Sequence, residues 1–116
     1  MQATVSRWTN LPVDRPMPLI DRQRVIGDRM MISRVILHPG FTLASHEHEN
    51  EQFVVMLRGR AEFELDEDGV KRTVEMRTGQ VLVLPAHVPH ACRAIEECEI
   101  LDLFSPVSEK TGVDRR

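Results

Sequence analysis

Apolar and polar residues alternate in short runs along most of this chain, and no stretch sustains the 3.6-residue apolar period of a helix. From about residue 22, β-prone runs alternate with turn segments that contain glycine or proline. The runs are RVIG, MMISRVIL, QFVVMLRG, RAEFEL, KRTVEM, VLVLP, ACRAI and CEILDLF. Many short strands joined by such turns predict an all-β protein, either a sandwich or a barrel.

The two ends of the chain depart from this pattern. LPVDRPMPLI holds three prolines in ten residues, which excludes a regular helix or a central strand. We therefore expect an extended arm over residues 1–20, a β-domain over residues 21–106 and a polar, loosely ordered tail over residues 107–116. Within the domain, the best hairpin signals lie around Gly59 and through Asp66–Gly69.

The composition is that of a globular domain and narrows the possible partners. The chain has 116 residues, 41% apolar and 28% charged, with a formal net charge of −3. No basic face is evident, so nucleic acid is not an expected partner. The apolar runs are too short to span a bilayer, and the first residues lack a signal core. We expect a cytoplasmic protein with no membrane partner, in which Cys92 and Cys98 are unbridged.

Candidate metal ligands lie in two segments, SHEHENEQFVVML and GQVLVLPAHVPHACR. If the first segment is one extended strand, His46, His48 and Gln52 project to the same side, because side chains two apart share a face. Two imidazoles at this spacing are a ready pair of metal ligands. The second segment offers His90, at the start of a strand and aimed inward, and His87, which we place in the turn itself. Structural or surface histidines are the alternative interpretation.

Both segments resemble the two sequence motifs of the cupin superfamily. In the first, Gly40 is followed after five residues by His46-Glu-His48, after three more by Gln52 and after six more by a glycine. In the second, Gly79 is followed after five residues by a proline and then by His90, with a histidine where glycine is usual. The resemblance covers roughly residues 25–105.

This resemblance implies a single jelly-roll β-barrel. It implies one divalent transition metal, which could be zinc, nickel, manganese, iron or cobalt, bound by His46, His48, Gln52 and His90. A homodimer is also expected, because small cupins often pair by exchanging arms or packing sheets.

Two residues indicate the chemistry. Gln52 stands where cupins usually carry a glutamate, and a neutral amide leaves the charge of a divalent centre without an offset. This favours a Lewis acid over a centre for high-valent redox chemistry. Asp102 lies in the otherwise apolar run EILDLF, where a carboxylate is costly unless it is solvated, paired or used. If it faces the interior, Asp102 is a candidate general acid or base, or a hydrogen-bond partner of a ligand histidine.

The Gln52 spacing, the distal histidine and an Asp-any-Phe ending are similar to the KdgF-like uronate ring-opening cupins. That resemblance implies that the metal binds the substrate while Asp102 acts as acid and base in opening a 4,5-unsaturated uronate. Phe104, Arg34 and Met56 are candidate pocket residues. Arg34 qualifies only if it faces inward, and core packing is the alternative for Phe104 and Met56.

Three functions are compatible with these features. The first is a metal-dependent enzyme that isomerises, opens or eliminates from a small acidic or sugar-derived substrate. The second is a metal-dependent dioxygenase, and the third is a cupin that binds a sugar or effector without catalysis. The barrel alone does not choose among them, because many chemistries share it.

Overall fold

The computed structural model describes residues 2–107, so the predicted tail lies outside the described residues from residue 108 onward. A short 3-10 turn, Trp8–Asn10, precedes nine strands. The strands are β1 (Ile20–Ile26), β2 (Met31–Leu37), β3 (Thr42–His46), β4 (Glu51–Arg58), β5 (Arg60–Glu67), β6 (Val70–Arg77), β7 (Val81–Leu84), β8 (His90–Ala94) and β9 (Cys98–Ser105).

The strands form two antiparallel sheets that face each other. One has five strands in the order β1-β2-β9-β4-β7, and the other has four in the order β3-β8-β5-β6. Alternation along β2 buries Met31, Ser33, Val35 and Leu37 and turns the residues between them outward. The predicted all-β jelly roll is confirmed, although no strand pairing joins the two sheets into a closed barrel within the described part of the chain.

The core lies between the sheets and is apolar. The five-stranded sheet contributes Val54, Met56 and Ile100, and the four-stranded sheet contributes Ala61 and Phe63. Side chains that alternate inward from both sheets interdigitate there, as expected for a two-layer β-protein. This packing fixes the strand ends where the site residues stand.

The DEDG hairpin forms as predicted between β5 and β6. Asp68 and Gly69 both have positive φ, 56° and 84°, which is the signature of a type I′ two-residue turn. The backbone N–H of Gly69 donates to the Asp66 carboxylate at 2.9 Å.

The hairpin predicted around Gly59 is wrong. β4 and β5 belong to different sheets, and Gly59 carries the chain from one to the other. Its φ is 97°, and a Cβ atom there would lie 2.2 Å from the Glu97 carbonyl oxygen. Glycine is therefore required by a close backbone approach as well as by the turn.

The assumption of one extended strand from His46 to Gln52 is also wrong. β3 ends at His46, residues 47–50 form a loop, and β4 begins at Glu51 in the other sheet. The shared parity of these side chains therefore has no bearing on their convergence. They meet because the loop returns the chain to the same end of the molecule.

The residues before β1 pack along that strand. The side-chain amide of Gln23 donates to the carbonyl oxygens of Trp8 and Leu11. Asp14 and Arg22 exchange two backbone hydrogen bonds, of 2.8 and 2.9 Å. Among the described residues, no helix is long and apolar enough to cross a membrane.

Candidate metal centre

His46 and His90 form the base of the site. They are cross-strand partners at adjoining ends of β3 and β8, and both are buried. Their ring centroids are 4.3 Å apart. The predicted position of His90, at the first residue of its strand and facing inward, agrees with this placement.

His48 completes a cluster of three imidazoles from the loop after β3. Its ring centroid lies 5.8 Å from that of His46 and 5.1 Å from that of His90. One ring nitrogen from each histidine lies within 4.8 Å of the other two. The loop is anchored by Asn50, which is buried and donates its side-chain amide to the Pro106 carbonyl oxygen.

Backbone carbonyls fix the tautomer of all three rings. The Nδ1 atoms of His46, His48 and His90 lie 2.9, 3.0 and 2.9 Å from the carbonyl oxygens of Ala44, Asn50 and Val88, respectively. A carbonyl can only accept, so each Nδ1 carries the hydrogen and each Nε2 keeps its lone pair. This arrangement is typical of histidines that bind a metal through Nε2.

Burial also keeps His90 neutral. Desolvation lowers the pKa of His90 to about 4, and repulsion from His46 and His48 lowers it further in the same direction. The hydrogen bond to the Val88 carbonyl opposes this effect. At neutral pH, His90 is therefore unprotonated and available as a ligand.

Gln52 connects the histidines to Asp102. Its Nε2 donates to Asp102 Oδ1 at 3.0 Å, which leaves its Oε1 facing His48 Nε2 at 3.1 Å. Neither of those two facing atoms has a hydrogen to donate, so a cation between them relieves the contact. Two ligand atoms at about 2.1 Å from one ion, at right angles, lie about 3 Å apart. The donor set of three imidazoles and one amide oxygen therefore fits a divalent transition metal.

Asp102 stands in the middle of β9, in register with Ser33 and Val54. Its side chain is partly buried and lines the pocket beside the histidines. Desolvation raises the pKa of Asp102 to about 7, and the hydrogen bond from Gln52 partly offsets this rise. The carboxyl group is thus able to hold or release a proton near neutral pH.

The three candidate pocket residues have different positions. Phe104 lines the pocket and meets the His48 ring edge to face, with centroids 5.8 Å apart. Met56 is 1% exposed and packs in the core, outside the pocket lining, as its alternative interpretation had it. Arg34 does not meet the condition of facing inward, so it is not a pocket residue. Arg34 lies on the outer face of β2, where it donates to Glu99 at 2.7 Å and to Gln23 at 2.9 Å.

The pocket cation that the sequence interpretation missed is Arg22. It is buried on the same face of β1 as Ile20, and it lines the pocket. The signal was present in the alternation of IDRQRVI, which places Ile20 and Arg22 on the same face. It was missed because the first β-prone run, RVIG, begins at residue 24 and so leaves Arg22 out.

His87 and the cysteines stand outside the metal-ligand cluster. His87 is exposed with φ 65°, and its backbone N–H donates to the His48 carbonyl at 2.9 Å. It thus steadies the ligand loop through its backbone. Cys92 and Cys98 are free and buried, and desolvation raises the pKa of each thiol, which disfavours a reactive thiolate.

This fold and site define a cupin. Residues 33–104 match the cupin-domain family, and the chain belongs to that family. With its histidine cluster, the protein is a metal-binding cupin.

Solved structures extend the comparison. The chain superimposes on KdgF from Halomonas sp. with a TM-score of 0.82 and 26% identity, over 93% of this chain and 97% of the other. It superimposes on oxalate decarboxylase from Lactobacillus farciminis with a TM-score of 0.79 and 20% identity, over 94% of this chain and 36% of the other. The second likeness concerns the fold alone.

Curated relatives carry a different activity in their names. The chain is 34% identical over 111 residues to a 3-hydroxyanthranilate 3,4-dioxygenase from Burkholderia cenocepacia, and 31% identical over 112 residues to one from Burkholderia lata. The two alignments cover 93% and 94% of this chain but only 63% and 64% of the length of the two relatives.

Proposed function

We propose that this cupin is a Lewis-acid enzyme that opens or isomerises a small acidic, sugar-derived substrate, with Asp102 as the proton-transferring group. The observation that carries the proposal is the Gln52 amide, which faces His48 through its oxygen and donates to Asp102 through its nitrogen. A single side chain thus joins the histidine cluster to the carboxyl group in the pocket wall. The likeness to KdgF over nearly the full length of both chains supports this choice.

Under this proposal, His46, His48 and His90 hold one divalent ion through Nε2, and Gln52 contributes Oε1. When bound, the ion supplies a Lewis acid that polarises a substrate oxygen. All four ligands are neutral, so the positive charge of the centre is kept for that task. The carboxyl group of Asp102 remains outside the ligand set, where it is free to handle a proton.

Asp102 would move one proton in each turnover. Opening a 4,5-unsaturated uronate requires loss of a proton from the hydroxyl on C1, cleavage of the bond between C1 and the ring oxygen, and protonation of C4. The atoms of the substrate are conserved, so one carboxyl that accepts and then donates a proton suffices. Apolar walls that include Val35, Phe63 and Ile100 limit the access of water to this transfer.

The first test is Asp102→Asn. We expect this variant to keep its metal, measured by inductively coupled plasma mass spectrometry, and to lose at least about 100-fold in turnover. Turnover is followed by the loss of ultraviolet absorbance from the conjugated double bond of 4,5-unsaturated galacturonate. Asp21→Asn is the matched control, because Asp21 pairs with His38 away from the pocket. Undiminished turnover in Asp102→Asn would refute the proposed role.

A metal-dependent dioxygenase is the second candidate, and the named activity of the curated relatives favours it. Oxygen uptake by the iron-loaded protein with 3-hydroxyanthranilate would establish this function. Uptake that persists in Asp102→Asn would separate it from the ring-opening mechanism.

The homodimer and the cytoplasmic location stay predictions. Exposed apolar side chains on the outer faces of β4 and β7, such as Phe53, Val81 and Val83, support self-association. Size-exclusion chromatography with light scattering would measure it directly.

A further inference from the structure

We propose that Arg22 is the residue that recognises a carboxylate of the substrate, and that the Asp14 carboxylate occupies this recognition position in the absence of substrate. The inference rests on the proposed function, because it assigns the same pocket a substrate class, namely small carboxylic acids. It gives the residues before β1 a part in substrate binding.

Arg22 is an unusual member of the pocket wall. It is 3% exposed, and of the pocket-lining residues that the structure describes it alone carries a guanidinium or ammonium group. A guanidinium stays charged at every pH of interest, and burying it requires an anionic partner. An arginine in the wall of an otherwise largely apolar pocket therefore marks where the negative end of a ligand would lie.

Asp14 shows how a carboxylate fits there. Arg22 donates from Nε to Asp14 Oδ1 at 3.0 Å and from Nη2 to Oδ2 at 2.6 Å, the two-pronged geometry typical of carboxylate recognition. Arg24 lies near the same carboxylate, with its Nη2 3.9 Å from Oδ2. Two cations thus converge on one carboxylate position.

The Asp14 side chain is able to leave this position without detaching the arm. It is 48% exposed, so its carboxylate is easily rehydrated. The backbone of Asp14 is bound separately, by the two hydrogen bonds exchanged with Arg22. A substrate carboxylate would therefore replace a like group, and the buried guanidinium would keep an anionic partner throughout the exchange.

The spacing suits a small acid. On the inner face of the sheet, Arg22 lies two strands from Asp102 and one inward position along. Strand geometry puts the Cα atoms of these residues about 12 Å apart. Both residues line the same pocket, so a small acid that spans this separation would place its carboxylate at Arg22 and its reacting carbon near Asp102.

The test compares D-galacturonate with D-galactose, its neutral counterpart, by isothermal titration calorimetry on metal-loaded protein. We expect Arg22→Met to weaken galacturonate binding about 10- to 100-fold and to leave galactose binding within about 2-fold. Arg34→Met is the matched control, because Arg34 lies on the outer face of its strand. This variant should bind both ligands as the wild type does. Equal losses for both ligands in Arg22→Met would overturn the assignment.

Asp14→Asn should change the affinity for galacturonate in the opposite direction. Removing a tethered competitor should tighten galacturonate binding about 3- to 10-fold. Weaker binding would mean that Asp14 only orients Arg22. It would overturn the proposal that a substrate carboxylate replaces that of Asp14. This variant also keeps the test decisive if Arg22→Met does not fold. The absence of galacturonate binding to both wild type and Asp14→Asn at millimolar concentrations would overturn the carboxylate assignment.

Repeating the titrations in the Asp102→Asn background separates this inference from the proposed function. If galacturonate binding depends on Arg22 but the wild-type protein turns over no uronate, the enzyme proposal alone is refuted. If uronate is turned over and Arg22→Met has the same KM as the wild type, the Arg22 inference alone is refuted.

Discussion

The two sheets build their halves of the site in different ways. On the side of the four-stranded sheet, each histidine ring is held by a carbonyl only two residues away along the chain. On the side of the five-stranded sheet, Gln52 is bonded to Asp102, 50 residues away, and Arg22 to Asp14 in the arm. We call these the histidine half and the pocket half.

The difference lies in what each half depends on. Local backbone geometry sets the ring orientation in the histidine half, so this half should tolerate changes elsewhere. Bonds between two side chains in the pocket half need both partners and the packing of separate strands. We therefore expect substitutions of the histidines to act on metal content, those of Asp102 and Arg22 to act on ligand choice and rate, and those of Gln52 to act on both.

Removal of a ligand should have the largest effect. His90→Ala leaves only two imidazoles and should lower metal affinity by more than about 100-fold. Mass spectrometry of the purified variant, beside the His38→Ala control, measures the metal retained. His38 pairs with Asp21 outside the cluster, so the control should load fully. Full metal occupancy in His90→Ala would break the assignment of the histidine half.

Gln52→Ala tests the link between the halves. We expect about 10- to 100-fold weaker metal binding, because one ligand is lost while the three histidines remain. Turnover should fall further than metal loss explains, since Asp102 loses the Gln52 donor at the same time. Metal titration and turnover at saturating metal separate the two losses. Turnover restored completely by excess metal would show that Gln52 is a ligand and nothing more.

His87→Gly tests whether the histidine half depends on backbone alone. His87 has a positive φ that glycine adopts without strain, and glycine keeps the N–H that bonds to His48. The free energy of unfolding should rise by about 0.5–1 kcal/mol, with metal content unchanged. Thermal or chemical denaturation measures the change, and His87→Ala, which keeps the strain, should not gain stability. Loss of metal in His87→Gly would assign the imidazole a role in the site.

The smallest effect on stability is expected from replacing Asp21, which lies outside both halves. A hydrogen bond from His38, assisted by Arg15, lowers the pKa of Asp21 from its ordinary value of 3.8, while burial opposes the shift. A lowered folded-state pKa contributes stability above the unfolded-state pKa, and this contribution is lost as the pH falls through the folded-state pKa.

Asp21→Asn should therefore cost less than about 1 kcal/mol at neutral pH, and the difference from wild type should vanish in acid. Urea denaturation at a series of pH values measures it. A cost that is the same in acid and at neutrality would mean that the Asp21 charge contributes nothing.

Much of the fold was predictable because its signals are local. Turn chemistry such as Asp68–Gly69 and the alternation along β2 depend on neighbouring residues. The crossing at Gly59 was not predictable, because a glycine that joins two sheets has the same local sequence as one that closes a hairpin. What distinguishes it is the approach of the Glu97 carbonyl, which the fold alone brings near.

The site divides along the same line. The clustering of His46, His48 and His90 was predictable from their spacing, although the strand geometry used to explain it was wrong. The bond from Gln52 to Asp102 and the inward face of Arg22 depend on strand order and register. A one-residue shift of a strand exchanges its two faces, so the inward or outward position of Arg34 could not be decided without the register.

The carbonyl bonds that hold the three histidines also bear on how such a chain can diverge over generations. A metal centre whose orientation depends on residues two positions away is inherited as a compact unit. Under the proposals above, replacements on β1 would alter which molecule is accepted while the histidine cluster persists. Related chains with this arrangement could therefore change substrate by single substitutions and still keep the metal ion.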